Sequence, residues 1–154
     1  MIKAIVRVVL YTGARASEVI DKGNYNRELK LFEIAQEDGV DAKTAAGVRR
    51  IPVHPAIESD LEFLSTVDTN YSTQNKHFRV WRNDAGLSAA FSLHNFRHGF
   101  STRLGLVGVS YEAGTILSGH SMNHIQSHYR HKRAEDLRDE VLLLDWAEKV
   151  SNWR

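Results

Sequence analysis

The sequence predicts a mainly α-helical fold carrying a small antiparallel β-sheet, an α+β arrangement. Three observations lead there. Apolar residues recur at helical spacing near the start (Ile2, Ile5, Val6, Val9), in the middle (Phe96, Phe100, Leu104) and near the end (Leu137, Val141, Leu144), each set tracing one face of a helix. Two short stretches, Glu28 to Ile34 and Val48 to Val53, show alternation or β-branched residues instead, the pattern of strands. Gly13, Gly23, Pro55, Gly86 and Gly108 punctuate the chain between these segments, where turns and helix ends are expected.

Composition narrows the class. At 154 residues and 42% hydrophobic, the chain suits one domain spanning residues 1–154. It has no apolar run of about eighteen residues. The first apolar stretch, Ala4 to Leu10, is interrupted by Arg7 and lacks a small-residue cleavage site, so neither a membrane span nor a signal peptide is expected. The expected location is therefore cytoplasmic. Zero cysteines exclude disulfides and thiolate chemistry and fit a reducing interior. A net charge of +1 argues against a strong non-specific nucleic-acid binder, while leaving room for a local positive face.

In chain order, the first helix should end at Gly13, within Tyr11-Thr12-Gly13-Ala14-Arg15, and Ala16 to Ile20 should restart a short helix that Gly23 stops. Arg15 then sits at a helix start, where its side chain and nearby backbone N–H groups could face an anion. Glu18 lies one turn on, able to brace Arg15; the same spacing also suits an ordinary surface pair. The two strands follow, with Pro52 confined to a strand edge or end. They are joined by the polar, small-residue segment Gln36 to Gly47, expected to be a hairpin loop. Lys43 rides on that loop, where lysines are commonly just solvated.

His54-Pro55 should open the next helix, with Ile57, Leu61 and Leu64 as its buried face. Asp68 to Asn75 is polar and turn-rich and reads as a surface excursion before Phe78, Val80 and Trp81 resume the apolar pattern. Asp84-Ala85-Gly86 is a turn, Ser92 a cap for the central helix, and Gly108 its end. Ser110 and Glu112 start another helix through Leu117. Ser121 should cap a further short one, on which Met122, Ile125 and Tyr129 share the inner side. The tail, residues 133–154, carries Leu137, Val141 and Leu144, with Leu142, Leu143 and Trp146 broadening that face. It could be a last core helix or could dock in a groove of the same or a neighbouring molecule.

The chemistry concentrates between Leu93 and Tyr129. Six of the eight histidines lie between His94 and His131, and the stretch adds Arg97 and Tyr129. Imidazoles, a guanidinium and a phenol together suit a phosphodiester. Arg offers a charged planar fork to phosphate oxygens, and His moves protons near neutrality. A phenol with a pKa of about 10 needs a base or a positive field to attack. Two plainer readings stand beside this one. Part of the segment is the buried stripe of a helix, with His94, Arg97 and His98 along one flank. His94 with His98, or His120, His124 and His128, also have spacing compatible with a metal, although no Cys and no His-Glu-x-x-His pattern accompanies them.

With these residues laid out, the chain resembles the catalytic domain of the tyrosine recombinases, the phage integrase family. Thr12-Gly13-Ala14-Arg15-Ala16-Ser17-Glu18 is similar to the family's first arginine box. Ala42-Lys43-Thr44 followed by Val48-Arg49-Arg50-Ile51-Pro52-Val53 is similar to its lysine hairpin. Leu93-His94-Asn95-Phe96-Arg97-His98 is similar to its second box, and Ser118-Gly119-His120 with Tyr129 nine positions on is similar to its last. The resemblance implies that Arg15 and Arg97 clamp the scissile phosphate of double-stranded DNA. Tyr129 would attack to form a 3'-phosphotyrosyl link and Lys43 would protonate the departing 5'-oxygen. It further implies that His94 shuttles the tyrosine proton, His120 hydrogen-bonds the phosphate and Glu18 supports Arg15. No metal or other cofactor is required by such chemistry, and self-association on DNA, as a synaptic tetramer held through the tail, is the expected assembly.

Two departures from the family pattern are visible. Ser118 stands where a bulky apolar residue is usual, and the chain begins at the first catalytic-domain helix, without the upstream DNA-gripping domain of full-length relatives. Weak, salt-sensitive DNA binding is the expectation. Two other functions fit the same residues: relaxation of DNA by type IB topoisomerase chemistry, and a truncated remnant that only binds DNA or a partner recombinase.

Overall fold

The computed structural model describes residues 1–34, 49–119 and 133–146. The first helix, α1 (Ile2–Thr12), is its centre. The sequence marks one apolar face, yet Ala4, Ile5, Val6, Val8, Val9, Leu10, Tyr11 and Thr12 are all buried. A helix apolar on most sides is surrounded rather than laid on a surface. Arg7, its one charge besides exposed Lys3, is used as a tether: Nε donates to Asp60 Oδ2 at 2.7 Å and Nη2 to the Ala56 carbonyl.

Gly13 ends α1 in the left-handed conformation (φ 64°), its N–H donating to Val9 O. Glu18–Lys22 forms a single π-helical turn, where an ordinary short helix was expected. The sheet has three strands in the order β1-β2-β3, all antiparallel: β1 (Gly23–Asn26), β2 (Leu31–Ile34) and β3 (Arg49–Pro52). The expected pair is β2 and β3, and β1 is an addition. Its Gly-Asn-Tyr-Asn sequence reads as a turn, but a Cβ at Gly23 would lie 2.1 Å from the Phe32 ring, so glycine there is what lets the strand pack. Pro52 closes β3, an edge strand with no further strand beside it among the described residues, as its missing N–H requires. Register pairs Phe32 with Ile51, both buried, and Glu33 with Arg50, whose side chains form a 3.3 Å ion pair.

A 3-10 turn, Pro55–Ile57, is capped by His54, whose Nδ1 accepts from Ala56 N–H; α2 (Glu58–Ser65) continues it, with Ile57 and Leu61 buried. The polar excursion is shorter than the sequence suggests, because α3 (Tyr71–Asp84) starts inside it, capped by Asn70. The only buried residues of α3 are Gln74 and Phe78, so a glutamine occupies a core position and breaks the apolar pattern. Helix α4 (Leu93–Leu106) buries Leu93, Phe96, Arg97, Phe100 and Leu104. At its start Ser92 is the N-cap as predicted, in a reciprocal capping box with Asn95 in which Ser92 N–H donates to Asn95 Oδ1 at 2.7 Å. Ser110 caps α5 (Tyr111–Ser118), which ends at left-handed Gly119.

A 3-10 turn, Ala134–Asp136, leads to α6 (Arg138–Leu142). Leu137, Val141 and Leu144 are buried in the common core, so this part of the tail is core of its own chain. Trp146 is held there too, its backbone N–H donating to Tyr11 Oη and its indole to Leu10 O. No helix among the described residues is long and apolar enough to cross a membrane.

Candidate active site

Two loop-to-helix junctions and one strand meet at Glu18. Gly13 turns the chain out of α1, and two further residues of irregular backbone, Ala14 and Arg15, follow before the next turn begins. Arg15 therefore stands near a helix start with its N–H free to donate, and it does so to Glu18 Oε2 at 2.6 Å. Its guanidinium reaches the other carboxylate oxygen, Oε1, at 2.7 Å. The Arg15 side chain remains 48% exposed while that of Glu18 is 8% exposed. The carboxylate is thus the buried brace and the arginine the group offered to solvent.

Arg97 approaches from α4. Although it shares a flank with His94 and His98 in sequence, it is buried while both histidines are exposed. Its Nη1 donates to the Gly13 carbonyl and Nη2 to the Ser118 carbonyl. Nη1 also lies 4.0 Å from Glu18 Oε2, too far for a hydrogen bond but close enough for charge attraction. Arg15 and Arg97, 82 positions apart (97 − 15), so converge on one carboxylate.

A third arginine belongs to this group. Arg49 opens β3 with its side chain only 5% exposed and Nη2 3.2 Å from Glu18 Oε2, while Nε donates to Leu117 O at 3.2 Å. In the sequence it stands only as part of the lysine-hairpin match, with no role of its own. A signal was present, since period-two alternation places Arg49 on the face of buried Ile51 and Arg50 on the opposite, exposed one. A charge on the inward face of a strand needs a partner.

The electrostatics follow from this packing. Burial would raise the Glu18 carboxyl, but the Arg49 charge and the hydrogen bonds from Arg15 and Arg49 hold it below the ordinary carboxylate range. Burial, with Arg49 and Arg15 nearby, lowers the Arg97 guanidinium to about 10, so it stays charged at neutral pH. Burial likewise lowers Arg49, opposed by Glu18. His94 is displaced below the usual imidazole value by burial first, then by His98, Arg97 and Arg15. Its ring stands edge-on to that of His98, 4.8 Å between centroids. A neutral imidazole beside a cationic cluster can accept a proton.

Of the residues singled out from sequence, Arg15, Glu18 and Arg97 are thus gathered at one carboxylate, and His94 is near enough to be influenced by the charges of both arginines. Lys43, His120 and Tyr129 lie outside the described residues, as do the loop from Gln36 to Gly47 and the short helix expected after Ser121. Both flanks of the last segment are described. On the upstream flank Leu117 and Ser118 accept the arginine bonds, and on the downstream flank the Ala134–Asp136 turn packs beside β3. Three guanidinium groups around one carboxylate leave local positive charge, which suits a phosphate.

Comparison with known proteins gives a consistent picture. A model of the phage integrase family matches residues 41–136. Among solved structures, the integrase from mycobacterium phage Brujita is similar in fold. Its TM-score is 0.64 at 19% sequence identity, over 94% of this chain and 51% of that one. The chain therefore spans about half the length of that integrase. No curated protein matches.

Proposed function

The chain belongs to the phage integrase family, and from that premise we propose that it cleaves and rejoins double-stranded DNA at a specific site through a 3'-phosphotyrosyl intermediate. The observation that carries this reading is the convergence of Arg15 and Arg97 about Glu18. In the proposed reaction the two guanidinium groups hold the non-bridging oxygens of the scissile phosphate. The Tyr129 phenol attacks phosphorus, passing its proton toward His94, and the bond from phosphorus to the 5'-oxygen breaks as Lys43 protonates that oxygen. His120 donates to a phosphate oxygen. The new ester conserves the energy of the broken one, so a returning 5'-hydroxyl reseals the strand with no nucleotide cofactor.

Magnitudes suit this division of labour. Loss of one donor to a charge-bearing oxygen costs about 100- to 1000-fold in rate, and each proton-transfer step contributes about 100- to 10,000-fold. The partner is duplex DNA, on which copies of the chain assemble through the part of the tail left outside its own core, including exposed Leu142 and Leu143.

The test is covalent capture. A nicked suicide duplex drawn from the sequence flanking the gene should yield a protein–DNA adduct stable in detergent, and Tyr129→Phe should yield none. An adduct that persists in Tyr129→Phe would take the nucleophile's role away from Tyr129. Absence of any adduct across flanking substrates would refute the cleavage reading itself.

A further inference from the structure

We propose that Arg49 is a positioning residue that holds both arms of the phosphate clamp in register, an inference that rests on the recombinase reading above. Its side chain is nearly enclosed (5% exposed), and its bonds to described residues include two in different directions. One goes to Glu18 Oε2, the oxygen that also accepts from the Arg15 backbone. The other goes to Leu117 O, next to the Ser118 carbonyl that accepts from Arg97.

The second bond has a structural logic of its own. The last carbonyls of a helix lack intrahelical donors and carry the negative end of its dipole. At the end of α5, Gly119 turns left-handed at φ 66°, and Arg49 and Arg97 donate to two consecutive carbonyls there. That end leads directly into His120 and, nine residues later, Tyr129. Upstream, Arg49 is six residues from Lys43. One guanidinium thus joins the brace of Arg15, the helix end shared with Arg97 and the strand that follows the lysine segment. It touches no substrate in this scheme and acts through Glu18 and the α5 carbonyls.

The discriminating variant is Arg49→Lys, which keeps the charge but replaces a planar fork by a single point that cannot serve both acceptors. The expected protein melts cooperatively. Its arginine Nε–H NMR signals for Arg15 and Arg97 move or broaden, and adduct formation on the nicked duplex slows by about 100-fold, as misplacement by an ångström does, with DNA affinity retained. Arg15 and Arg97 signals that coincide with those of the unaltered protein would overturn the proposal, as would a rate loss no greater than the loss of folded protein. A measurement on the unaltered protein guards against a variant that fails to fold. The Arg49 Nε–H, bonded to Leu117 O, should exchange slowly with solvent, and fast exchange would refute the assignment. Failure of the recombinase reading looks different, since the unaltered protein then gives no adduct while the NMR changes in Arg49→Lys persist.

Discussion

Glu18 concentrates the residue-scale physics, because a single carboxylate, 8% exposed, faces Arg15, Arg49 and Arg97. Removing the charge from one side of a buried ion pair costs about 3 to 5 kcal/mol, since the remaining charges are left uncompensated. Glu18→Gln should therefore lower unfolding stability by about 3 kcal/mol. The pH dependence has a definite sign. The Glu18 value is held below 4.5 in the folded protein, so its contribution is complete above the unfolded value and is lost as pH falls through the folded one. Urea melts recorded from neutral pH downward should show an acid-side loss that is shallower in Glu18→Gln. Parallel acid limbs in the two proteins would remove Glu18 as its source. Arg49 is the complementary case: its type is plain from sequence, but its burial beside Glu18 depends on which strand face meets the core.

At the scale of elements, the crossing of α1 and α4 positions the clamp. Gly13 adopts φ 64° and its missing Cβ makes room for Phe100, whose Cδ1 would lie 2.3 Å from a Cβ built there. The same residue's carbonyl accepts from Arg97. Gly13→Ala combines a left-handed conformation costing roughly 1 to 2 kcal/mol with overpacking of roughly 1 to 3 kcal/mol. Its urea midpoint should fall by the equivalent of about 3 kcal/mol, with adduct formation reduced beyond the loss of folded protein because the Arg97 anchor shifts. An unchanged midpoint would mean that Phe100 has room to withdraw. Elements were legible where local chemistry marks them: Gly13 and Ser110 cap helices, and Pro52 ends a strand. Those that escaped, β1 and the first turn of α3, are built of residues whose local preference is for turns, and pairing with β2 and packing around Phe78 override it.

For the whole molecule, charge is nearly balanced, 20 basic against 19 acidic side chains, so affinity for DNA should come from a local face rather than a general field. A protein neutralising about three phosphates loses about 40-fold in affinity between about 50 and about 200 mM salt. Fluorescence anisotropy on a labelled duplex should show weak binding with a slope of that order. Sub-nanomolar affinity at physiological salt would contradict it, and salt-independent binding would remove phosphate neutralisation as its source.

The sequence by itself determined the α+β class, most helix starts and stops, and the ordered set of residue types from Arg15 to Tyr129 that points to phosphoryl chemistry. These are written in short-range patterns: the 3.6-residue and two-residue periods and the backbone preferences of Gly, Pro and Ser. Only the tertiary structure decided that α1 is the buried centre, that Arg97 points inward while His94 and His98 do not, and that Arg49 joins Arg15 and Arg97 at one carboxylate. Residues so distant in sequence meet through loop closure and core packing, and no local pattern carries that information.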